Sequence, residues 1–219
     1  ESNWVILKPK YQTSKNITAK LNLNEDGEFE GELKIRRNGY SASKQRATIS
    51  LKNEDDYLES FETQNPDLEV EEYSNKNLEE LDKPLQESFS IKLKMNESLG
   101  NKMRINPFLF DRISKNPFKL KERNYPVDYA YSRKNIYYLS LEIPENYNIV
   151  KLPENKAFAL PSNGGNFILK TVKKGNTINI FVRLNILKSF YSVKDYYYLK
   201  EFYKQVIIAQ SGYIILEKK

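Results

Sequence analysis

The sequence predicts a mainly β fold of the α+β type: antiparallel, sandwich-like sheets carrying a few packed helices, including one near the carboxy terminus. Three observations lead there. Aromatic residues make up 13% of the 219, with 16 tyrosines among them, and such side chains suit pleated surfaces with one wet face. Segment after segment alternates apolar and polar residues with period two, and turn residues separate the segments. Helical spacing of apolar residues is clearest in a single stretch close to the carboxy terminus. The length suffices for one large domain or two small ones with a buried core.

From the amino terminus, residues 16–37, NITAKLNLNEDGEFEGELKIRR, predict a β-hairpin. Ile17, Ala19, Leu21 and Leu23 alternate with polar residues, NEDG supplies turn chemistry, and Phe29, Leu33 and Ile35 resume the alternation. Glu28, Glu30 and Glu32 then share the opposite face. Carboxylates on a flat strand predict a solvated face rather than a calcium loop, whose ligands converge from a turn. Residues 41–52 fit either state: Ala42, Arg46 and Ile49 suit a helix, whereas Ala47, Ile49 and Leu51 alternate as in a strand. A helix is predicted near 54–63, with Asn53 as its cap, Asp56 in its first turn, and Tyr57, Leu58 and Phe61 facing the core. Strands follow at 68–73 and 87–95, the second with Phe89, Ile91, Leu93 and Met95 on one face. Between them Glu79, Glu80 and Asp82 read as a solvated acidic connection.

MRINPFLF, 103–110, continues extended, and a boundary between two segments, 1–100 and 101–219, falls near 96–116. The segments are left free to share one core. Strands are predicted at 135–144, 166–172 and 176–187, and KKGN at 173–176 is a hairpin turn whose glycine takes a positive φ. Pro144, Pro153 and Pro161 sit at strand ends, where a missing N–H costs little. NGG at 163–165 reads as a turn, a glycine pair being weak support for phosphate binding. Ser192 with Asp195 forms a variant capping box, and Tyr196, Leu199, Tyr203 and Val206 then recur as one apolar helical stripe. GYIILEKK closes the chain as a strand.

Composition narrows the chemistry. The chain has no Cys and no His, which removes zinc sites of those ligands, Cys–His and Ser–His–Asp catalysis and imidazole acid–base work. No catalytic residue, cofactor or metal site is expected, and the chain is not read as an enzyme. The formal charge is +6, from 35 basic and 29 acidic residues. The signs are interspersed, and even the densest basic run, KLKER at 119–123, contains a glutamate. Nucleic acid is therefore not an expected partner. No apolar stretch approaches the ~18 residues of a membrane span.

The stretch NPFKLKERNYPVDYAY, 116–131, is the most specified-looking loop. Arg123 and Asp128 flank NYPV, and a chain stiffened by Pro126 predicts a two-point Arg–Asp brace fixing the approach to the following sheet. The alternative, a clamp on a carboxylate ligand, is weighed against the packing character of Phe118, Tyr125, Val127 and Tyr129. Near the amino terminus, Trp4, Val5 and Leu7 are read as an apolar edge where another domain pairs.

Several motifs in one order also carry a resemblance: NPF, R-x-YPVD, IP-x-x-Y, LP-x-x-GG-x-F and S-x-x-x-Y-x-x-LK-x-FY, spread over 107–217. Together they resemble the carboxy-terminal domain of unknown function that follows the transglutaminase-like core in bacteroidete envelope proteins. The first half resembles the segment between core and tail in such proteins. The resemblance implies a periplasmic or cell-envelope setting, with a signal sequence upstream, and an upstream transglutaminase-like domain of the same polypeptide as partner. It lends no catalytic residues, because the Cys and His of such a core have no counterpart here. The leading reading is a non-catalytic accessory module that packs against or positions the upstream domain; the second is a peptide- or carbohydrate-binding module, and the third an independent hydrolase using two facing carboxylates in a cleft.

Overall fold

A computed structural model describes residues 12–24, 27–94 and 98–219. Trp4, Val5, Leu7 and Met95 lie outside the described residues. The elements run β1 (Thr13–Leu23), β2 (Glu28–Asn38), α1 (Tyr40–Ser50), α2 (Glu54–Gln64), β3 (Leu68–Lys76), β4 (Leu85–Lys94), β5 (Ser98–Leu99), β6 (Lys102–Ile105) and β7 (Val127–Asp128). They continue as β8 (Arg133–Glu142), β9 (Tyr147–Lys151), β10 (Lys156–Ala159), β11 (Gly165–Lys174), β12 (Thr177–Ile186), β13 (Phe190–Tyr191), α3 (Tyr196–Ala209) and β14 (Ile214–Lys218).

The large sheet has eight strands in the order β10-β11-β12-β8-β1-β2-β4-β3. Its pairings are antiparallel except that β1 runs parallel to β8, from Thr13 opposite Arg133 to Asn22 opposite Glu142. Strands from both sides of residue 100 therefore belong to one sheet. Period-two alternation gives that sheet two unlike faces. Phe89, Leu33, Ala19, Leu139 and Ile180 form a buried row of direct cross-strand neighbours on one face. The adjacent row on the other face is Ser90, Glu32, Lys20, Ser140 and Asn179, polar throughout. The second face meets water and the first carries the core.

Two covers lie on the apolar face. Over one half sit α1 and α2, where Phe61 stacks on Phe89 at 4.6 Å. Over the other half lie α3, the loop after β6 and a small sheet of order β5-β6-β14-β9, with Ile105, Ile214 and Leu216 fully buried. The predicted stripe of α3 faces inward: Tyr196, Leu199, Tyr203 and Val206 are all buried. Its start is fixed by Asp195, whose carboxylate accepts from the Ser192 N–H at 2.9 Å and from the Ser192 hydroxyl at 2.8 Å. Asn53 caps α2 as expected, accepting the Asp56 N–H at 2.8 Å.

The ambiguous segment after Gly39 is helical. Gly39 has φ 56, and a Cβ there would lie 2.9 Å from the Thr13 hydroxyl oxygen, so only glycine allows the chain to fold sharply from β2 into α1. Arg46 then explains why the helix stays on the sheet. Its buried guanidinium donates to the carbonyl oxygens of Asn77, Leu78, Glu80 and Lys83 at 2.8–3.0 Å, tying the loop between β3 and β4 to α1.

Candidate functional site

The two covers do not meet over the end of the sheet where β1 begins. Between them runs a cleft of about 550 Å³, floored by Lys15, Ile17, Ile35 and Arg37, walled on one side by α1 and α2 and on the other by Leu109–Arg112. It joins a second cavity of about 300 Å³ toward Tyr40, Tyr131 and Arg133. Lys15, Arg37, Lys44, Gln45 and Thr48 line both.

The geometry follows from strand parity. Leu33, Ile35 and Arg37 share the inward face of β2, as Leu85, Glu87 and Phe89 share that of β4. The register sets Ile35 opposite Glu87 and Arg37 opposite Leu85, so Arg37 and Glu87 are diagonal neighbours. They form an ion pair, with side chains 8% and 0% exposed. Tyr57 of α2 donates its hydroxyl to the other carboxylate oxygen of Glu87, and Gln45 of α1 donates to the Tyr57 oxygen at 2.8 Å and to Glu87 at 3.3 Å. A buried carboxylate survives as an anion only with such partners. Burial, and then the Glu87 charge, push the Tyr57 hydroxyl well above its ordinary value, so it acts as a neutral donor. Glu87, which does not itself line the cleft, thus has both carboxylate oxygens committed, and the one carboxylate among the described lining residues, Asp111 at the far wall, is bound by Lys15 at 2.7 and 2.8 Å.

The cleft is positive. With Arg37 neutralised by Glu87 and Lys15 by Asp111, the cations Lys44, Arg112 and Arg133 line it without a carboxylate partner among the described residues. Tyr40 and Tyr131 stack at 4.6 Å across the mouth, and the Arg133 guanidinium lies 4.7 Å over Tyr129 and 5.6 Å over Tyr131.

Sequence reasoning places its candidates elsewhere. The Arg123–Asp128 brace is not formed. The Asp128 carboxylate accepts the Ala130 N–H at 2.7 Å, a local turn that lets Ala130 hold φ 62, and Arg123 lies half-buried 5.8 Å over the Tyr196 ring. A short-range bond to the side chain's own backbone wins over an ion pair that must order a long arginine. Tyr196 and Lys200 instead anchor this loop, each donating to the Leu120 carbonyl at 2.9 Å. The interface residues Trp4, Val5 and Leu7 lie outside the described residues. Glu30 and Glu32 stand on the wet face as expected, Glu32 beside Lys34 at 2.5 Å. Among the described residues no His, Cys, Asp or Glu cluster could hold a metal ion. Arg37 and Glu87 escape the sequence reading, although the alternation that locates Leu33 and Phe89 assigns both to the same inward face.

Residues 101–216 match DUF3858, a domain of unknown function. The chain belongs to this family. The match takes in more than half of the chain, over the stretch expected to carry a domain of unknown function, and the β6-to-β14 region is its DUF3858 part. No curated protein and no solved structure gives a significant match. The cleft is built jointly by DUF3858, which supplies Leu109–Arg112 and Arg133, and by the segment before it, which supplies the floor and the helical wall.

Proposed function

We propose that this DUF3858 chain is a non-catalytic β module of a larger transglutaminase-like envelope protein, where it packs against or positions the upstream domain. The observation that carries the reading is where the chain enters the fold. β1 is a central strand, and Thr13, its first residue, lines the mouth of the cleft. In this reading an upstream domain of the same polypeptide joins the fold ahead of Thr13, on the side of the cleft and the helical cover. The chemistry agrees: the chain has no thiol or imidazole, and its buried carboxylate is fully engaged. Trp4, Val5 and Leu7 belong to this contact in the proposal, and the setting is periplasmic or envelope.

The test is calorimetric titration of the separately expressed upstream domain into this chain, alongside Trp4→Asp in the longer protein. Association, weakened by Trp4→Asp, is the expected result. No association together with no effect of Trp4→Asp on the stability of the longer protein refutes the reading.

A second reading, a peptide- or carbohydrate-binding module, is favoured by one observation: the uncompensated positive charge of a cleft large enough for several residues or a sugar unit.

A further inference from the structure

We propose that the cleft takes an acidic peptide segment, whose carboxylates pair with Lys44 and Arg112 and whose main-chain N–H groups donate to the side-chain amides of the helical wall. The inference rests on the second reading above and gives it a ligand class.

Three features of the cleft select that chemistry. Its uncompensated cations come from separate elements: Lys44 from α1, Arg112 from the loop after β6, Arg133 from the first position of β8. Charges spread along a groove match carboxylates repeated along an extended chain better than one compact anion. Gln64 and Asn65 also line the wall. Their NH₂ groups are spent on the carbonyls of Ser60, at 3.0 Å, and Phe61, at 2.8 Å, and their amide oxygens accept no hydrogen bond among the described residues. Free acceptors are what a peptide backbone needs. A pyranose, by contrast, packs on an open ring face. Here Phe61 is stacked on Phe89 at 4.6 Å, and Tyr57 is tilted against Tyr73 at 5.6 Å with its hydroxyl on Glu87. Their faces serve the core, so the larger cavity favours a peptide over a glycan; the exposed ring of Tyr40, stacked on Tyr131, stands only at the mouth.

The test is a nitrogen–proton NMR titration of the whole 219-residue chain with end-blocked tetraglutamate, end-blocked tetraglutamine, glucuronate and inorganic phosphate. Tetraglutamate at millimolar concentration is expected to shift the resonances of Lys44, Gln45, Gln64, Asn65 and Arg112, and to do so less as salt rises. Lys44→Glu and Arg112→Glu each weaken it about tenfold, the worth of one charged hydrogen bond. Lys170→Glu, on the wet face of the sheet, leaves it unchanged. If either reversal lowers the melting temperature, Lys44→Gln and Arg112→Gln are read in its place. Absence of shifts at the cleft, equal shifts with tetraglutamine, or equal weakening by Lys170→Glu overturns the proposal. Glucuronate or phosphate binding at the cleft as tightly as tetraglutamate overturns the peptide assignment, and glucuronate alone would leave the binding-module reading standing. None of these outcomes bears on association with the upstream domain.

Discussion

Replacing Glu87 by Ala removes one side chain and strands three others. The Arg37 guanidinium, whose side chain is 8% exposed, loses its counter-charge, the Tyr57 hydroxyl loses its acceptor, and Gln45 loses one of two. Breaking one member out of a buried pair costs about 3–5 kcal/mol, because the survivor keeps its desolvation penalty without its partner. In a chain of this size that lowers the melting temperature by about 6–20 °C. Arg37→Met alone costs a similar amount, since Glu87 is then buried with neutral donors only. The double variant Arg37→Met, Glu87→Leu discards both charges and recovers most of the loss, leaving the Tyr57 hydroxyl, which still accepts from Gln45, without an acceptor of its own at about 1–3 kcal/mol. Adding Tyr57→Phe removes that residue of cost as well. The assay is urea unfolding of the wild type, both single variants, the double and the triple, followed by fluorescence and circular dichroism to check that the two transitions coincide. If the double variant loses the sum of the two singles, the residues act independently and the account of a coupled buried cluster fails.

Two further predictions concern the frame around the cleft. Arg46→Met is expected to cost about 3–4 kcal/mol, because four carbonyls of residues 77–83 lose their donor; hydrogen exchange should quicken in that loop before it does in β4, and uniform exchange across both would contradict the tie. Burial raises the Tyr137 hydroxyl above its ordinary value of about 10: below that pH both states keep the proton and the contribution is whole, and above it the unfolded chain ionises first. Stability then falls by about 1.4 kcal/mol per pH unit for this group until its folded value is reached. Tyr137→Phe should reduce the alkaline slope of stability by that amount between about pH 10 and 12, and an unchanged slope would show that Tyr137 ionises freely in the fold.

Parity and periodicity are what the sequence makes legible. Alternation alone puts Ile17 to Leu23, Phe29 to Ile35, and Phe89 to Leu93 on one face, and helical spacing aligns the stripe from Tyr196 to Val206, because burial of apolar area enforces these spacings. β9 and β10 escape it: Tyr147–Lys151 and Lys156–Ala159 are short and largely exposed, and their pairing is decided by β14 and β11 rather than by their own composition. Residues 41–52 give no answer because the determinant of their helix is tertiary, the loop carbonyls around Arg46. The cleft is half legible. Arg37 and Glu87 sit at inward positions of strands that alternation assigns, so a charged residue in phase with a buried row is the available signal. That Lys44 and Arg112 face one groove depends on where two covers stop, which no local pattern encodes.

The parallel pairing of β1 with β8 has a consequence for how the chain divides. β8 lies inside the DUF3858 match, yet from Arg133 to Glu142 its register partners are Thr13 to Asn22, ahead of the match. Without β1, β8 becomes an open edge and Leu139 and Leu141 lose Ala19 and Leu21 as buried neighbours. Such an edge invites pairing with another chain. The folding unit of this protein is therefore larger than its family region, and the cleft lies on the seam, with Lys15, Arg37 and Lys44 on one side of it and Arg112 and Arg133 on the other. A ligand or domain that engages both sides binds only when the seam is closed. Its binding free energy adds directly to the stability of the β1–β8 pairing, which makes occupancy of the cleft and integrity of the central sheet two readings of one equilibrium.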